Sequence, residues 1–238
     1  MAPLFTQPSQ EAFGPSEWGW VARLLHFSDS ALPVGAYAHS FGLEGVCQMG
    51  LVHDKETLRT FLNRDVSVSL IHVDLPLVVK SHAAIMDGHY EELVRLDQLS
   101  WALRPSRQLR EALSRIGKQQ IKVYQNTWAN AEHPIPELPH NQSPTVLGMF
   151  YALENTPVMA AIWSVVYQSY SALLQAALKL LPIGPAATQD LLHDAMTTIQ
   201  GQLQLVCEID TEDIGSFNPV WDIGASLHEH APARLFIS

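Results

Sequence analysis

Apolar side chains recur at three- and four-residue intervals through almost the whole of this 238-residue chain, and prolines cut the pattern into lengths that helices can occupy. Trp18, Val21, Leu24 and Leu25 form a first short face, with Ser16 placed to cap it. Asp54 stands ahead of a long run through Leu58, Phe61, Leu62 and Val66, which Pro76 should kink or divide. "YEELVRLDQLSWAL" is a further helix ended by Pro105. Ser106 then opens another, with Leu109, Leu113, Ile116 and Val123 facing inward. Strand-type alternation and internal repeats are not visible, so the sequence predicts an all-α, single-domain bundle of roughly eight to ten helices.

The second half follows the same logic. "NAEHPIPELPHNQSP" carries four prolines and reads as the one long loop. Two long helices are expected after it, 145–181 with Pro157 a candidate break and 187–206, separated by "LPIGPAAT". Residues 1–16 read as a disordered lead, 17–207 as the helical domain, and 208–238 as an acidic, Gly-rich tail, extended or conditionally ordered.

Composition restricts the function classes. Hydrophobic residues make up 47% of the chain and charged residues 16%, an apolar balance that implies contact with another subunit. A net charge of −10 argues against nonspecific binding to nucleic acid or an anionic membrane. Cys47 and Cys207 are too few for a disulfide framework. The N-terminus has no apolar run of signal-peptide type, and the apolar stretch from Val158 to Leu181 is interrupted by polar residues. A cytoplasmic protein is expected.

Motifs for catalysis are largely missing. Gly117-Lys118 is followed by Gln119 and lacks the phosphate-loop spacing, so nucleotide hydrolysis by this chain alone is not expected. Glu137 and His140 have E-x-x-H spacing but fall in the Pro-rich loop, away from any helix face. His228 and His230 are the best metal candidates, two imidazoles on alternate residues, although a closed site wants about four ligands. His82 and His89 read as surface or core polar residues.

Three non-catalytic features stand out. Arg104, Arg107, Arg115, Lys118 and Lys122 form a basic stripe at helical spacing, while Cys207–Ser238 holds six acids (Glu208, Asp210, Glu212, Asp213, Asp222, Glu229) and one base, Arg234. Trp163 and Tyr167, four residues apart on the most apolar helix, suit either the core or an oligomer contact. Gly42 and Gly45 leave a bare patch that either admits close helix packing or merely weakens a helix.

Four stretches, in order along the chain, carry a resemblance. "ALPVGAYAHSFGLEG" (31–45) resembles the N-terminal signature of the UreF family of urease accessory proteins. "LREALSRIG" matches a weaker pattern of that family, "LKLLPIGPAATQDLL" is similar to its lysine, Pro-x-Gly and Gln segment, and "NPVWDIGASLHEHAPARLFIS" resembles its C-terminus. Pro185, Thr188 and Gln108 depart from its usual residues.

The resemblance implies an all-helical homodimer without enzymatic activity or a cofactor of its own. Such a protein bridges the scaffold protein UreD (also called UreH) to the GTPase UreG, in a complex that delivers nickel into apo-urease at the expense of GTP. It further implies a partner-binding set comprising Gly35, Tyr37, His39, Ser40, Glu44, Lys179, Gln189, His228, Glu229, Arg234 and Phe236. In that set Tyr37 is the loop aromatic and Arg234 the residue that orders the tail. Trp163 and Tyr167 become the expected dimer contact. Two rival readings stay open, a helical metal-binding enzyme using scattered His and acids, and a GTPase activator that inserts an arginine into its partner's site.

Overall fold

In the computed structural model, which describes residues 18–36, 39–128, 135–227 and 235–236, the proline-bounded apolar runs are helices. They are α1 (Gly19–Ser28), α2 (Leu43–Gln48), one long helix over Lys55–Met86, α6 (Tyr90–Ala102), α7 (Arg107–Thr127), α8 (Ser143–Leu153), α9 (Val158–Leu180), α10 (Pro185–Gln200), α11 (Leu203–Glu208) and α12 (Pro219–Leu227). The described residues contain no strand.

Local chemistry sets the boundaries. Asp54 accepts the Thr57 N–H at 2.8 Å while the Thr57 hydroxyl takes the Asp54 N–H, a reciprocal cap that starts the long helix. The Ser106 hydroxyl accepts the Leu109 N–H and starts α7. The expected cap at Ser16 lies outside the described residues, and Trp18 holds the N-cap position of α1 without a side-chain bond. The 145–181 run does break at Pro157, which holds the N-cap position of α9 after α8 has ended at Leu153, and Pro185 opens α10 at a first-turn position, where a missing N–H costs nothing. The expected 187–206 helix therefore starts two residues earlier and stops at Gln200, with α11 following.

The long helix comprises three α segments, α3 (Lys55–Phe61), α4 (Ser67–Ser69) and α5 (Leu75–Met86), joined by π-helical turns at Leu62–Val66 and Leu70–Asp74. Pro76 divides it only in its bonding. Proline has no N–H for the carbonyl four residues back, His72, and that carbonyl accepts the Gly215 N–H at 3.0 Å instead. The helix break thus doubles as an anchor for the C-terminal region. Lys55–Met86 is also the one described helix long and apolar enough to cross a membrane by length and composition, and 56% of its apolar window is buried inside the protein.

At the centre lies α8, whose residues from Ser143 to Ala152 are all buried, the expectation for a helix apolar on every side. It packs on α5, α6, α7 and α9. Its start is fixed by Asp97 of α6, fully buried, whose carboxylate accepts the N–H groups of His140 (2.7 Å), Asn141 (3.1 Å) and Gln142 (2.7 Å). Trp101 stacks on His140 with centroids 4.5 Å apart. The described end of the Pro-rich loop is thereby clamped onto α6.

Two expectations are corrected. Arg104 is not part of an exposed stripe; it precedes α7, is 7% exposed, and pairs with Asp74 and Ser69. Arg107 and Arg115 remain on the solvent side, each paired with Glu111. The last thirty residues are not extended throughout, because 219–227 is helical and Ile214, Ala225 and Phe236 join the buried interior. Within 219–227 the buried residues are Gly224 and Ala225, and Trp221 packs against the interior beside them.

Candidate partner-binding site

The described residues of the 31–42 stretch bend at 31–35 and turn again at 41–42. Gly35 at φ 80° and Gly42 at φ 87° adopt left-handed backbone that other residues rarely take, and Phe41 at φ 51° pays strain to join them. The loop delivers the chain into α2, whose residues Leu43 to Val46 are all buried. What buries them is α12. A Cβ on Gly45 would overlap the carbonyl oxygen of Gly224, and one on Gly224 would sit 2.6 Å from Val46 Cγ2. Between the two readings of the Gly42/Gly45 patch, the structure selects close helix packing.

Trp221 locks this crossing. Its indole N–H donates to the Phe41 carbonyl and its ring meets Phe61 edge-on at 5.6 Å. Asn218 braces the start of α12, donating from Nδ2 to the Asp65 carbonyl at 2.9 Å and accepting the Trp221 N–H at 3.4 Å. These contacts were not anticipated from sequence, and the Trp in a Gly-rich acidic stretch was the signal available.

Three residues of the expected set converge above this crossing. Glu44, 3% exposed, accepts the Leu235 N–H at 2.9 Å. Lys179, in the last turn of α9, holds its ammonium 5.0 Å from the ring centre of Phe236, which is 6% exposed. A buried carboxylate on a backbone donor 191 positions away and a cation on an aromatic face thus fasten Leu235 and Phe236 to α2 and α9. Beside them Cys47 is half-buried, and burial, with the Glu44 charge nearby, pushes its thiol up to about 11, which keeps it protonated and unreactive.

Other members fall differently. His39 (5% exposed) and Ser40 (0%) were expected on the recognition surface but are buried. The exposed rim of the loop is Ala31, Pro33 and Gly35, facing Gln175 across a shallow cleft. Gln189 is exposed on the second turn of α10, and no contact among the described residues brings it to the cluster. Tyr37, His228, Glu229, His230 and Arg234 lie outside the described residues. Near Gln189, Thr188 is buried and its hydroxyl bonds the Pro185 carbonyl at 2.8 Å, so these two departures from the family pattern support each other locally. Among the described residues no three His, Cys, Asp or Glu side chains gather as a metal site. His82 bonds the Thr156 carbonyl at 2.8 Å, which accounts for it structurally.

Trp163 is partly buried against the interior, whereas Tyr167, one turn on, is 38% exposed. With Met159 (39% exposed) one turn before Trp163 on the same helix, they form a partly open apolar face.

Comparison with known proteins supplies the relationship. The family model named UreF matches residues 52–196, more than half of the chain. The chain is 27% identical over 231 residues to proteins named urease accessory protein UreF 2 from Brucella canis, Brucella abortus and Brucella suis, with 91% of each chain covered.

Proposed function

This chain belongs to the UreF family of urease accessory proteins, and from that premise we propose that it is an adaptor between the scaffold protein UreD/UreH and the GTPase UreG. The assembly loads nickel, its cargo, into apo-urease in a GTP-dependent manner. The observation that carries this reading is the meeting of Glu44, Lys179 and Phe236. A buried carboxylate engaged with a backbone N–H and an ammonium over a ring hold a chain segment in place; they do not present a group for bond making. Such a fastening gives a partner a shaped surface built from both ends of the chain.

The same reading makes the protein non-catalytic, without a cofactor of its own, cytoplasmic, and a homodimer through the Trp163 and Tyr167 face. Pairing two copies there would cover aromatic surface that one chain leaves open. The test is genetic. Deleting this chain from a urease operon should leave urease expressed but poor in nickel, measured by metal analysis of the purified enzyme. Fully loaded urease from the deletion strain at ordinary nickel supply would contradict the assignment.

A further inference from the structure

Where α1 ends, residues 28–36 turn across the second half of α9, and a cavity of about 60 Å³ lies between them. Phe27, Leu32, Val34 and Ala172 supply apolar walls. Gln168, Ser171 and Gln175 also line it, spaced three and four residues apart, so they share one face of α9. The charged residue of the lining is Asp29, exposed at the rim. Water screens it there, and the Ala31 N–H holds one of its oxygens at 2.9 Å. Outward, the cavity adjoins the shallow cleft between Gln175 and the 31–35 rim.

The hydroxyl protons beside the cavity are all assigned by their neighbours. Ser28 donates to the Leu24 carbonyl at 2.6 Å, so toward Ser164 it accepts. Ser164 gives its proton to Ser28 and accepts from Tyr151. Both the Tyr151 and the Ser164 oxygen then accept from the Gln168 amide nitrogen, at 3.0 and 2.9 Å, which leaves the Gln168 carbonyl oxygen as an acceptor. One turn on, Ser171 is 9% exposed, and its hydroxyl is buried without a hydrogen-bond partner. A buried donor is costly until something accepts from it. The wall therefore offers one acceptor and one donor, both neutral, in apolar surroundings.

A charged group would lose its hydration there without a buried counter-charge, and a hydrocarbon would leave both polar groups unpaired. A carboxamide satisfies both: its N–H donates to Gln168 and its carbonyl accepts from Ser171. Its donor and acceptor point apart, as groups one helical turn from each other require, whereas a single hydroxyl oxygen must serve both from one place. Building on the adaptor reading, we propose that this cavity receives the side-chain carboxamide of an asparagine or glutamine from a partner in the maturation complex. A free small amide makes too few contacts to be held tightly, while one carried on a docked chain arrives at high local concentration. The open cleft outside gives such a chain a seat. The dimer face proposed at Met159, Trp163 and Tyr167 occupies the first half of α9 and the cavity the second, so a partner is the source and not the second copy.

The probes are acetamide, 2-propanol, acetate and acetamidinium, molecules of one size, titrated into the full ¹⁵N-labelled chain. Acetamide should shift the amide resonances of residues 168–175 saturably and bind at least about fivefold more tightly than each of the others. Ser171→Ala removes only a hydroxyl that bonds nothing, so it keeps the fold and should bring acetamide down to the level of 2-propanol. Equal binding of all four probes, or an unchanged preference in Ser171→Ala, overturns the proposal. Ser171→Leu fills the cavity with an apolar chain. In co-purification from a co-expressed urease operon, that tagged variant should retain at least about fivefold less partner than wild type, with wild-type helical content and oligomeric state. A Ser171→Leu chain that captures as much as wild type overturns the cavity assignment and leaves the adaptor reading standing. One that keeps the partner and loses the dimer makes a second copy the source, which also overturns the proposal. A wild-type chain that captures no partner overturns the adaptor reading, and with it a partner as the source.

Discussion

Gly45 of α2 and Gly224 of α12 meet backbone to backbone, so closely that a Cβ on Gly45 would overlap the Gly224 carbonyl oxygen. This contact lets a nine-residue helix close over the end of the 31–42 loop and places the C-terminal segment within reach of Glu44 and Lys179. Gly45→Ala sets two effects against each other. Better helix propensity gains up to about 1 kcal/mol, while overpacking costs about 1–3 kcal/mol. Overpacking wins, because the obstacle is backbone and cannot rotate away. Hydrogen exchange should show lost protection over 220–226, whereas Gly19→Ala, at an open helix start, should leave exchange there unchanged.

Asp97 predicts a large and purely structural effect. Its removal leaves three N–H groups at the start of the central helix without their acceptor. Asp97→Ala should lower unfolding stability by about 3 kcal/mol in urea titrations. Glu92→Ala, which removes an exposed pair with Arg95, should change it by less than about 1 kcal/mol.

How much of this was legible in the sequence depends on which force shaped each part. Helices bounded by Asp54, Pro105, Ser106 and Pro157 were readable, since caps and prolines act locally. The packing of 219–227 was not, because its contacts run through Gly224, Ala225 and Trp221, while Ile223 and Leu227, which carry apolar period there, are exposed. Nor was the burial of Arg104, whose partner Asp74 is thirty residues away on the long helix. Within the candidate site, Glu44, Lys179 and Phe236 came from motif resemblance, and only the fold explains why they belong together. His39 and Ser40 carried the same motif signal, yet their place is beneath the surface they were expected to form.

Asp222 gives a pH-dependent prediction. Burial raises its carboxyl above the ordinary range, with Arg104 partly opposing. A folded-state value above the unfolded one means that the folded protein favours the protonated form. The corresponding stability is fully present below the unfolded pKa, near 3.8, and is lost as pH rises through the folded value. Asp222→Asn should therefore raise the melting temperature at pH 7 and lose that advantage as the pH falls toward 4. Thermal scans of both proteins across that interval measure it, and a deficit for the variant at pH 7 would mean that the Arg104 attraction outweighs burial.

The Trp163 and Tyr167 pair makes a prediction about assembly. Trp163→Ala combined with Tyr167→Asp places a charge on the open apolar face of α9. The variant should remain helical by circular dichroism and become monomeric by light scattering, since an unpaired carboxylate is costly only when a second copy covers it. An intact dimer would place the two-fold contact on another face.

The fastening of the C-terminal segment to α2 and α9 is the surface we propose that partners read. Co-purification of the scaffold protein and UreG with tagged wild type, Glu44→Gln and Phe236→Ala, from one co-expressed urease operon, addresses it directly. Glu44→Gln keeps the size of the side chain and removes the charge that strengthens its bond to the Leu235 N–H; Phe236→Ala removes the ring under Lys179. The prediction is that wild type retains both partners and each variant loses UreG, with helical content unchanged. Wild-type retention of UreG by Phe236→Ala would contradict it.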